Sequence, residues 1–433
     1  MIKRIVDREI VIGVIGLGYV GLPLAVEKAK AGYKIIGFDI QASKVDMVNQ
    51  GHNYIGDVVD AELADVVASG MLRATTDNAF ISEVDFIAIC VPTPLDIHRQ
   101  PDLSYVSSTC EMIGRYMSRG IIVVLESTTY PGTTEELVLT ILEKESGLKC
   151  GEDFYLGFSP ERVDPGNLVF NTKNTPKVVS GVGKDATEVI ATLYRQVLDG
   201  DLVEVSSPKV AEMEKILENT YRNINIALAN EMAIICDKMG ISVWEVIEAA
   251  KTKPYGFTAF YPGPGIGGHC IPLDPFFLTW KAREFGYNTR LIEMAGEINT
   301  AMPQYVVDRC ARILNEDGKA LKDAGILILG VAYKQDIEDY RESPALRVIE
   351  CFEKSKAVVD YFDPYVSSYK YKGITKSSIP ALTPDVVKGY DLVVVTTDHT
   401  NVDYVMVQDN ARVIFDSKNA MRNIRSRDNI VLL

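Results

Sequence analysis

Apolar residues crowd into short runs along this chain, and the period of those runs changes twice. Residues 10–15 are short, β-branched and uncharged, so they read as a strand buried on both faces. Residues 22–31 are apolar at helical spacing and stop at Gly32, which predicts a helix. Residues 34–38 predict the next strand. Strands over 85–91, 121–125 and 154–158 continue the alternation of a doubly wound sheet. The period then turns helical from 208 to 239. Ile216, Leu217, Ile224, Leu228, Met232 and Ile235 form one expected apolar stripe, and Gly240 is the stop. Helices are also predicted over 243–250, 276–284 and 291–315. At Gly325 the strand pattern returns, over 326–330, 357–362, 391–397 and, as the last strand, 412–416, with a helix over 345–352. Residues 84–89 and 390–395 echo each other, which suggests a second Rossmann-like unit.

The expected fold class is α/β: two Rossmann-like doubly wound domains joined by a central helical domain with a long linker helix. The expected domains are 1–205, 206–315 and 316–433. The 433 residues suffice for two or three domains with ample core. A net charge of −14 argues against nucleic acid and against an anionic membrane as partners. It leaves room for a locally basic site. No apolar run reaches membrane-spanning length, and the charged stretch 3–9 lacks a signal-peptide pattern. Cys90, Cys110, Cys150, Cys236, Cys310 and Cys351 are scattered, with no CxxC pair, and are expected to be buried reduced thiols of a cytoplasmic protein. The four histidines show no zinc-ligand spacing, so no metal is expected.

Chemistry changes the picture at six places. The first strand runs into Gly16-Leu17-Gly18-Tyr19-Val20-Gly21, and the second ends in Asp39. Strand, glycine turn, helix and acid together form the dinucleotide fingerprint. Gly16 makes the tight turn, Gly18 admits the pyrophosphate, and Gly21 lets the helix pack on the strand. The helix N-terminus favours the phosphates. Tyr19 and Val20, inside the turn, count with the glycines as cofactor contacts. Asp39 would accept hydrogen bonds from a ribose. No Arg follows it before Lys44, so NAD is preferred to NADP, with Lys44 as a further contact. Pro92, Thr93 and Thr128 stand just past strand ends, where a nicotinamide half would lie; turn-capping by either threonine is an equal reading. Glu161 and Arg162 lie in a charged loop. Glu161 is either a solvated acid or a carboxylate that manages a water or proton. Lys215 and Asn219 share one helix face, as a solvated strip or part of a site. Lys334 and Arg341 are surface charges or phosphate contacts.

The sixth place is a loop of glycine and proline, residues 260–274, that ends in Cys270 and Asp274. Four glycines and two prolines among residues 262–268 preclude a regular element. A thiol at the end of such a loop, just before a helix, reads as a covalent nucleophile. An alcohol-to-ketone dehydrogenase needs no thiol. A thiol makes sense where an aldehyde goes on to an acid, through a thiohemiacetal and a thioester that an activated water hydrolyses. Lys215 suits the oxyanion charge of those steps.

These motifs together resemble the UDP-glucose/GDP-mannose dehydrogenase family over essentially the whole chain. The marks are Gly16 to Pro23, Val91-Pro92-Thr93-Pro94, Ser127-Thr128, Ser159-Pro160-Glu161-Arg162, Lys215 with Asn219, Gly267-Gly268-His269-Cys270 and Arg341-Glu342-Ser343-Pro344. The resemblance implies a four-electron oxidation of a nucleotide-sugar by two NAD. It implies Cys270 as nucleophile and Asp274 as its acid/base partner. Lys215 and Asn219 become the oxyanion pair, and Thr128 and Glu161 the groups that hold the hydrolytic water. Lys334, with Arg162, Tyr261, Gly265 and Gly267, is expected at the UDP-sugar, and Arg341 at the cofactor. A homodimer or higher homo-oligomer is expected, with a basic partner residue near Lys251 and Lys253. Residues 253–275 are similar to the UDP-N-acetylglucosamine 6-dehydrogenase branch, which feeds surface polysaccharides. UDP-N-acetylmannosamine and UDP-glucose stay open as substrates. A β-hydroxyacid dehydrogenase, a non-catalytic sensor and a metal site at His269 and Cys270 are the rival readings.

Overall fold

The computed structural model of the chain describes residues 1–433 except 57, 97, 165 and 168, so Pro165 of the charged 159–166 loop lies outside the described residues. Two compact units result. The first comprises Met1–Glu218 and Phe276–Tyr287, the second Asn219–Pro275 and Asn288–Leu433. The division falls inside helices Pro208–Met239 and Asp274–Glu284, where the three expected segments were not cut.

Among the described residues the first unit is built on eight strands: β1 (Val11–Ile15), β2 (Lys34–Phe38), β3 (Leu72–Thr75), β4 (Phe86–Ile89), β5 (Ile122–Leu125), β6 (Tyr155–Phe158), β7 (Lys177–Gly181) and β8 (Leu202–Glu204). Their order is β3-β2-β1-β4-β5-β6-β7-β8, parallel throughout except for β6 against β7. Alternate residues enter opposite cores. Ile12, Val14, Phe86 and Ala88 pack on one face with Leu24 and Tyr194. Ile15, Ile87 and Ile89 pack on the other with Phe38 and Leu125. Both faces are covered, so these strands show no polar alternation in sequence. The winding reverses between β1 and β4, which opens a crevice at the carboxyl edge there.

The second unit holds β9 (Gly325–Leu329), β10 (Val358–Phe362), an antiparallel hairpin of β11 (Ser368–Tyr371) and β12 (Ile374–Ser377), then β13 (Leu392–Val395), β14 (Ile414–Asp416) and β15 (Ile430–Leu432). The parallel order β10-β9-β13-β14-β15 repeats the winding reversal, at β9 and β13. The last strand is β15, not the one expected at 412–416; three residues are too few to show a period. Helices Val243–Lys251 and Arg290–Glu316 also lie in this unit. Among the described residues no helix is long and apolar enough to cross a membrane.

The apolar stripe expected along helix Pro208–Met239 divides. Ile216 is fully buried, while Leu217, Leu228 and Ile235 are exposed. Small and polar residues take the inner positions instead, among them Ala227, Asn223 and Asn230. Of the six cysteines expected inside, Cys90, Cys110, Cys236 and Cys310 are buried, and Cys150 and Cys351 are half-buried.

A Cβ on Gly21 would lie 1.8 Å from the Gly16 carbonyl oxygen, a backbone atom that cannot step aside. Gly21→Ala is therefore expected to destabilise the first unit by about 2 kcal/mol or more and to weaken NAD binding. Thermal unfolding and NAD titration check both; an unchanged pair would show that the turn yields freely.

Candidate active site

The glycine turn of the first unit has three distinct steric settings. Gly16 sits at φ +92°, and its Cβ would meet the Cys90 carbonyl at 2.7 Å. Gly21 is blocked as described. A Cβ on Gly18 would meet nothing within 4 Å, so that glycine alone borders open space. Asp39, past the end of β2, accepts the Leu17 N–H at 3.0 Å and the Gln41 N–H at 2.9 Å, and Lys44 Nζ lies 3.9 Å away. One carboxylate thus fastens the turn to the second strand. An open glycine, a helix beginning at Gly21 and an anchored acid fit a dinucleotide.

Thr93 donates to the Thr128 carbonyl at 2.8 Å, and Ser127 donates to the Val91 carbonyl at 2.7 Å, so the loops after β4 and β5 are stitched together. Thr128 is half-buried and Pro92 exposed. Next to them lies a dry charge cluster. Glu126 is 1% exposed; it accepts from Lys177 Nζ at 2.8 Å and from the Tyr194 hydroxyl, and Lys28 Nζ stands 3.8 Å away. Lys177 also donates to the Pro160 carbonyl at 3.2 Å and stands 3.6 Å from Glu161. Burial alone would raise the Glu161 carboxyl, but Lys177, the N–H groups of Val163 and Arg162, and Lys215 hold it below its ordinary value. Glu161 is therefore no solvated loop acid. Arg162 turns to Glu218 and Glu214 and donates to the Pro176 carbonyl at 2.9 Å. Lys215 is buried, as is Asn219 one turn on, so the pair is no solvated strip.

In the second unit Cys270 is exposed. Its carbonyl accepts the N–H groups of Leu273 at 3.1 Å and Asp274 at 2.8 Å, a turn that leads into helix Asp274–Glu284. That helix starts two residues earlier than the periodicity suggests. Asn219 Nδ2 donates to Asp274 Oδ2 at 2.6 Å, inside the protein. The glycines of the loop face this chain rather than open space. A Cβ on Gly267 would meet Tyr333 at 2.6 Å and Pro344 at 2.9 Å, and one on Gly265 would meet Pro344 at 3.1 Å. Tyr261 donates to Glu248 at 2.6 Å, accepts from Lys251 at 3.2 Å and stacks on Trp244. Arg341 makes a bidentate pair with Asp339, and Lys334 lies half-buried in the loop after β9.

Sequence reasoning passed over three asparagines here. Asn223 donates to the Ile271 carbonyl at 3.0 Å, Asn230 accepts the Gly263 N–H at 2.9 Å, and Asn299 bridges both. With Asn219 they fix the cysteine loop along its length. Asparagines at 219, 223 and 230 share a helical face, a signal that was available. Their acceptors were not, because those are set by tertiary contact. Glu126 and Lys177 were missed in the same way.

A glycine turn of this geometry at the winding reversal of a parallel sheet defines the class, a dinucleotide-binding protein. Family models narrow it. They match the NAD binding domain of the UDP-glucose/GDP-mannose dehydrogenase family at 10–198, its central domain at 209–301 and its UDP binding domain at 327–423. A Pseudomonas aeruginosa UDP-N-acetyl-D-glucosamine 6-dehydrogenase is 38% identical, covering 86% of this chain and 88% of its own. A Pyrococcus horikoshii UDP-N-acetyl-D-mannosamine dehydrogenase is 36% identical, covering 95% and 96%. A solved structure of the P. horikoshii UDP-D-ManNAc dehydrogenase superposes with a TM-score of 0.89 at 34% identity, over 98% of each chain. The chain belongs to the UDP-glucose/GDP-mannose dehydrogenase family. It is an NAD-dependent UDP-sugar 6-dehydrogenase.

Lys28 gives a stability test. Burial pushes its ammonium down to about 8, although Glu126 pulls the other way, and it makes no hydrogen bond. The unfolded chain holds this proton up to about pH 10.5 and the folded chain only to about 8. The penalty, roughly 3 kcal/mol, is full below pH 8 and fades as pH rises to 10.5. Glu126 keeps Lys177 and Tyr194 without it. Lys28→Met is expected to be more stable by about 1–3 kcal/mol at pH 7, with the gap closing toward pH 10.5. Urea unfolding across that range checks it, and a less stable variant would show that Lys28 is needed by Glu126.

Proposed function

We propose that this enzyme oxidises C6 of UDP-N-acetylglucosamine to the uronic acid, through a thiohemiacetal and a thioester on Cys270, for surface polysaccharide biosynthesis. The observation that carries this reading is an exposed thiol on a loop fastened by buried asparagines, one turn before an Asp that Asn219 holds at 2.6 Å. NAD, when bound, supplies the hydride acceptor for both oxidations. Gly16, Gly18, Tyr19, Val20, Gly21, Asp39, Lys44, Pro92, Thr93 and Thr128 would hold it, with Arg341 as a further contact.

The chain's own groups divide the rest. In the first oxidation C6 loses a hydride and its hydroxyl a proton, giving the aldehyde. The Cys270 thiolate adds to that carbon, and Asp274 manages the proton of the adduct. Lys215 and Asn219 stabilise the oxyanion. Loss of a second hydride leaves a thioester. A water held by Thr128 and Glu161 adds, the C–S bond breaks, and the acid leaves. Arg162, Tyr261, Gly265, Gly267 and Lys334 would contact the nucleotide-sugar. Segments 1–205, 206–315 and 316–433 would serve cofactor, dimer and UDP. Leu228, Ile235, Met239, Leu291 and Met294 are exposed on helices Pro208–Met239 and Arg290–Glu316, which supports a homodimer. Use of NAD and a nucleotide-sugar supports a cytoplasmic reaction.

The name of the P. aeruginosa relative supports the glucosamine sugar. The P. horikoshii relative favours a second reading, UDP-N-acetylmannosamine. A panel of UDP-glucose, UDP-N-acetylglucosamine, UDP-N-acetylmannosamine and UDP-N-acetylgalactosamine, followed by NADH, separates them. UDP-N-acetylglucosamine is expected to turn over fastest, and each sugar consumed to yield two NADH. One NADH per sugar would leave only a single oxidation.

Cys270→Ser and Cys270→Ala are each expected to lower acid formation roughly a thousandfold. Near-normal turnover in both would rule out a covalent route.

A further inference from the structure

Glu161 is the outermost member of a buried row of alternating charge: Lys28, Glu126, Lys177, Glu161. The three inner side chains are 6% exposed or less, and Glu161 is 16% exposed. Its two oxygens have different settings. Oε1 accepts the N–H groups of Arg162 at 2.8 Å and Val163 at 2.9 Å, while Oε2 faces Lys177 Nζ at 3.6 Å. The ammonium itself is fixed by Glu126 at 2.8 Å and the Pro160 carbonyl at 3.2 Å.

Topology explains how a lysine reaches this place. In a parallel sheet a strand's first residue lies at the edge away from the chemistry. Lys177 is the first residue of β7, but β7 runs antiparallel to β6. Its start therefore lies where β6 ends, beside the loop that carries Glu161. One reversed strand delivers a buried cation to the carboxyl edge.

We propose that Lys177 is a positioning residue for thioester hydrolysis: its ammonium, clamped by Glu126, holds Glu161 as an oriented anion. The proposal rests on the reading that Glu161 acts on the hydrolytic water. In that step the water oxygen bonds to C6, the C6–Sγ bond breaks, the thiolate of Cys270 leaves, and the water's proton passes through the carboxylate to solvent. A carboxyl protonated at rest can neither orient the water nor take that proton. Of the other charged groups, Lys215 acts on Glu161 from its own helix, Arg162 is turned to Glu214 and Glu218, and Lys28 lies behind Glu126. Lys177 is thus the cation aimed at Oε2 from behind.

The test compares Lys177→Met, Lys177→Gln, Lys177→Arg and Glu161→Gln, using whichever UDP-hexose of the panel gives NADH. The pH profile of kcat and the acyl-enzyme trapped by acid quench are read, the latter by intact mass. Lys177→Met and Lys177→Gln are expected to release the first two NADH at wild-type rate, then to accumulate acyl-enzyme and turn over at least tenfold more slowly. The acid limb of kcat moves up by about one pH unit, and Lys177→Arg restores it. Glu161→Gln accumulates acyl-enzyme at every pH. A Met or Gln variant with a wild-type acid limb and no acyl-enzyme would overturn the proposal while Glu161→Gln still blocks. Wild-type hydrolysis in Glu161→Gln would instead remove the underlying reading. If neither the Met nor the Gln variant binds NAD or folds, as judged by titration and circular dichroism, the lysine is structural and the proposal falls.

Discussion

A carboxylate cut off from water must find its cations and donors within the protein. Glu126, directly after β5, is such a group. It draws Lys28 from the helix of the glycine turn, Lys177 from the start of β7 and the Tyr194 hydroxyl from helix Lys184–Val197. Elements far apart in sequence are thereby tied behind the carboxyl edge of the first sheet. That tie stands beside both the dinucleotide turn and the loop of Glu161. A buried charge row is costly as a source of stability, and Lys28 shows the cost. What the row does hold in place is its outermost carboxylate, Glu161.

The two Rossmann-like sheets put one device to different ends. Each carries an aspartate just past the strand beside its first, Asp39 after β2 and Asp363 after β10. Asp39 takes one N–H of the glycine turn. Asp363 takes the Val331 and Ala332 N–H groups at 2.7 and 3.0 Å and also pairs with buried His399 at 3.1 Å. The corresponding turn of the second sheet is therefore closed by its own acid. Its Gly330 packs against Thr397, with no equivalent of the open space at Gly18.

The cysteine loop shows a division of labour that its composition disguises. Its glycines look like an opening for a ligand. In the structure the space a Cβ would need at Gly265 and Gly267 is taken by Pro344 and Tyr333. What fixes the loop is a set of asparagines, which supply both donor and acceptor and so can grip backbone N–H and C=O alike. Asn223 and Asn230 do so at its two ends. An asparagine exposed at a helix surface would be ordinary. These are buried because a loop without regular structure has backbone groups that need partners.

Much was legible in the sequence. Doubly covered parallel strands announce themselves as apolar runs, and β1, β2, β4, β5, β6 and β9 lie within two residues of expectation. The fingerprint from Gly16 to Asp39 is local, so its chemistry can be read from spacing alone. The short strands β3, β8 and β15 and the exposed hairpin β11–β12 carry too few inward residues to show a period. Whether Glu161 was solvated, and whether Lys215 and Asn219 formed a strip or a site, was likewise beyond local pattern. Burial is a property of what packs against a residue, and that depends on distant segments. Residue spacing determined the strands, the glycine turn and the place of Cys270 at the end of its loop. Only tertiary structure decided which polar groups are dry, because the reversal of β7 and the asparagine face of a helix acquire partners only once the chain has folded.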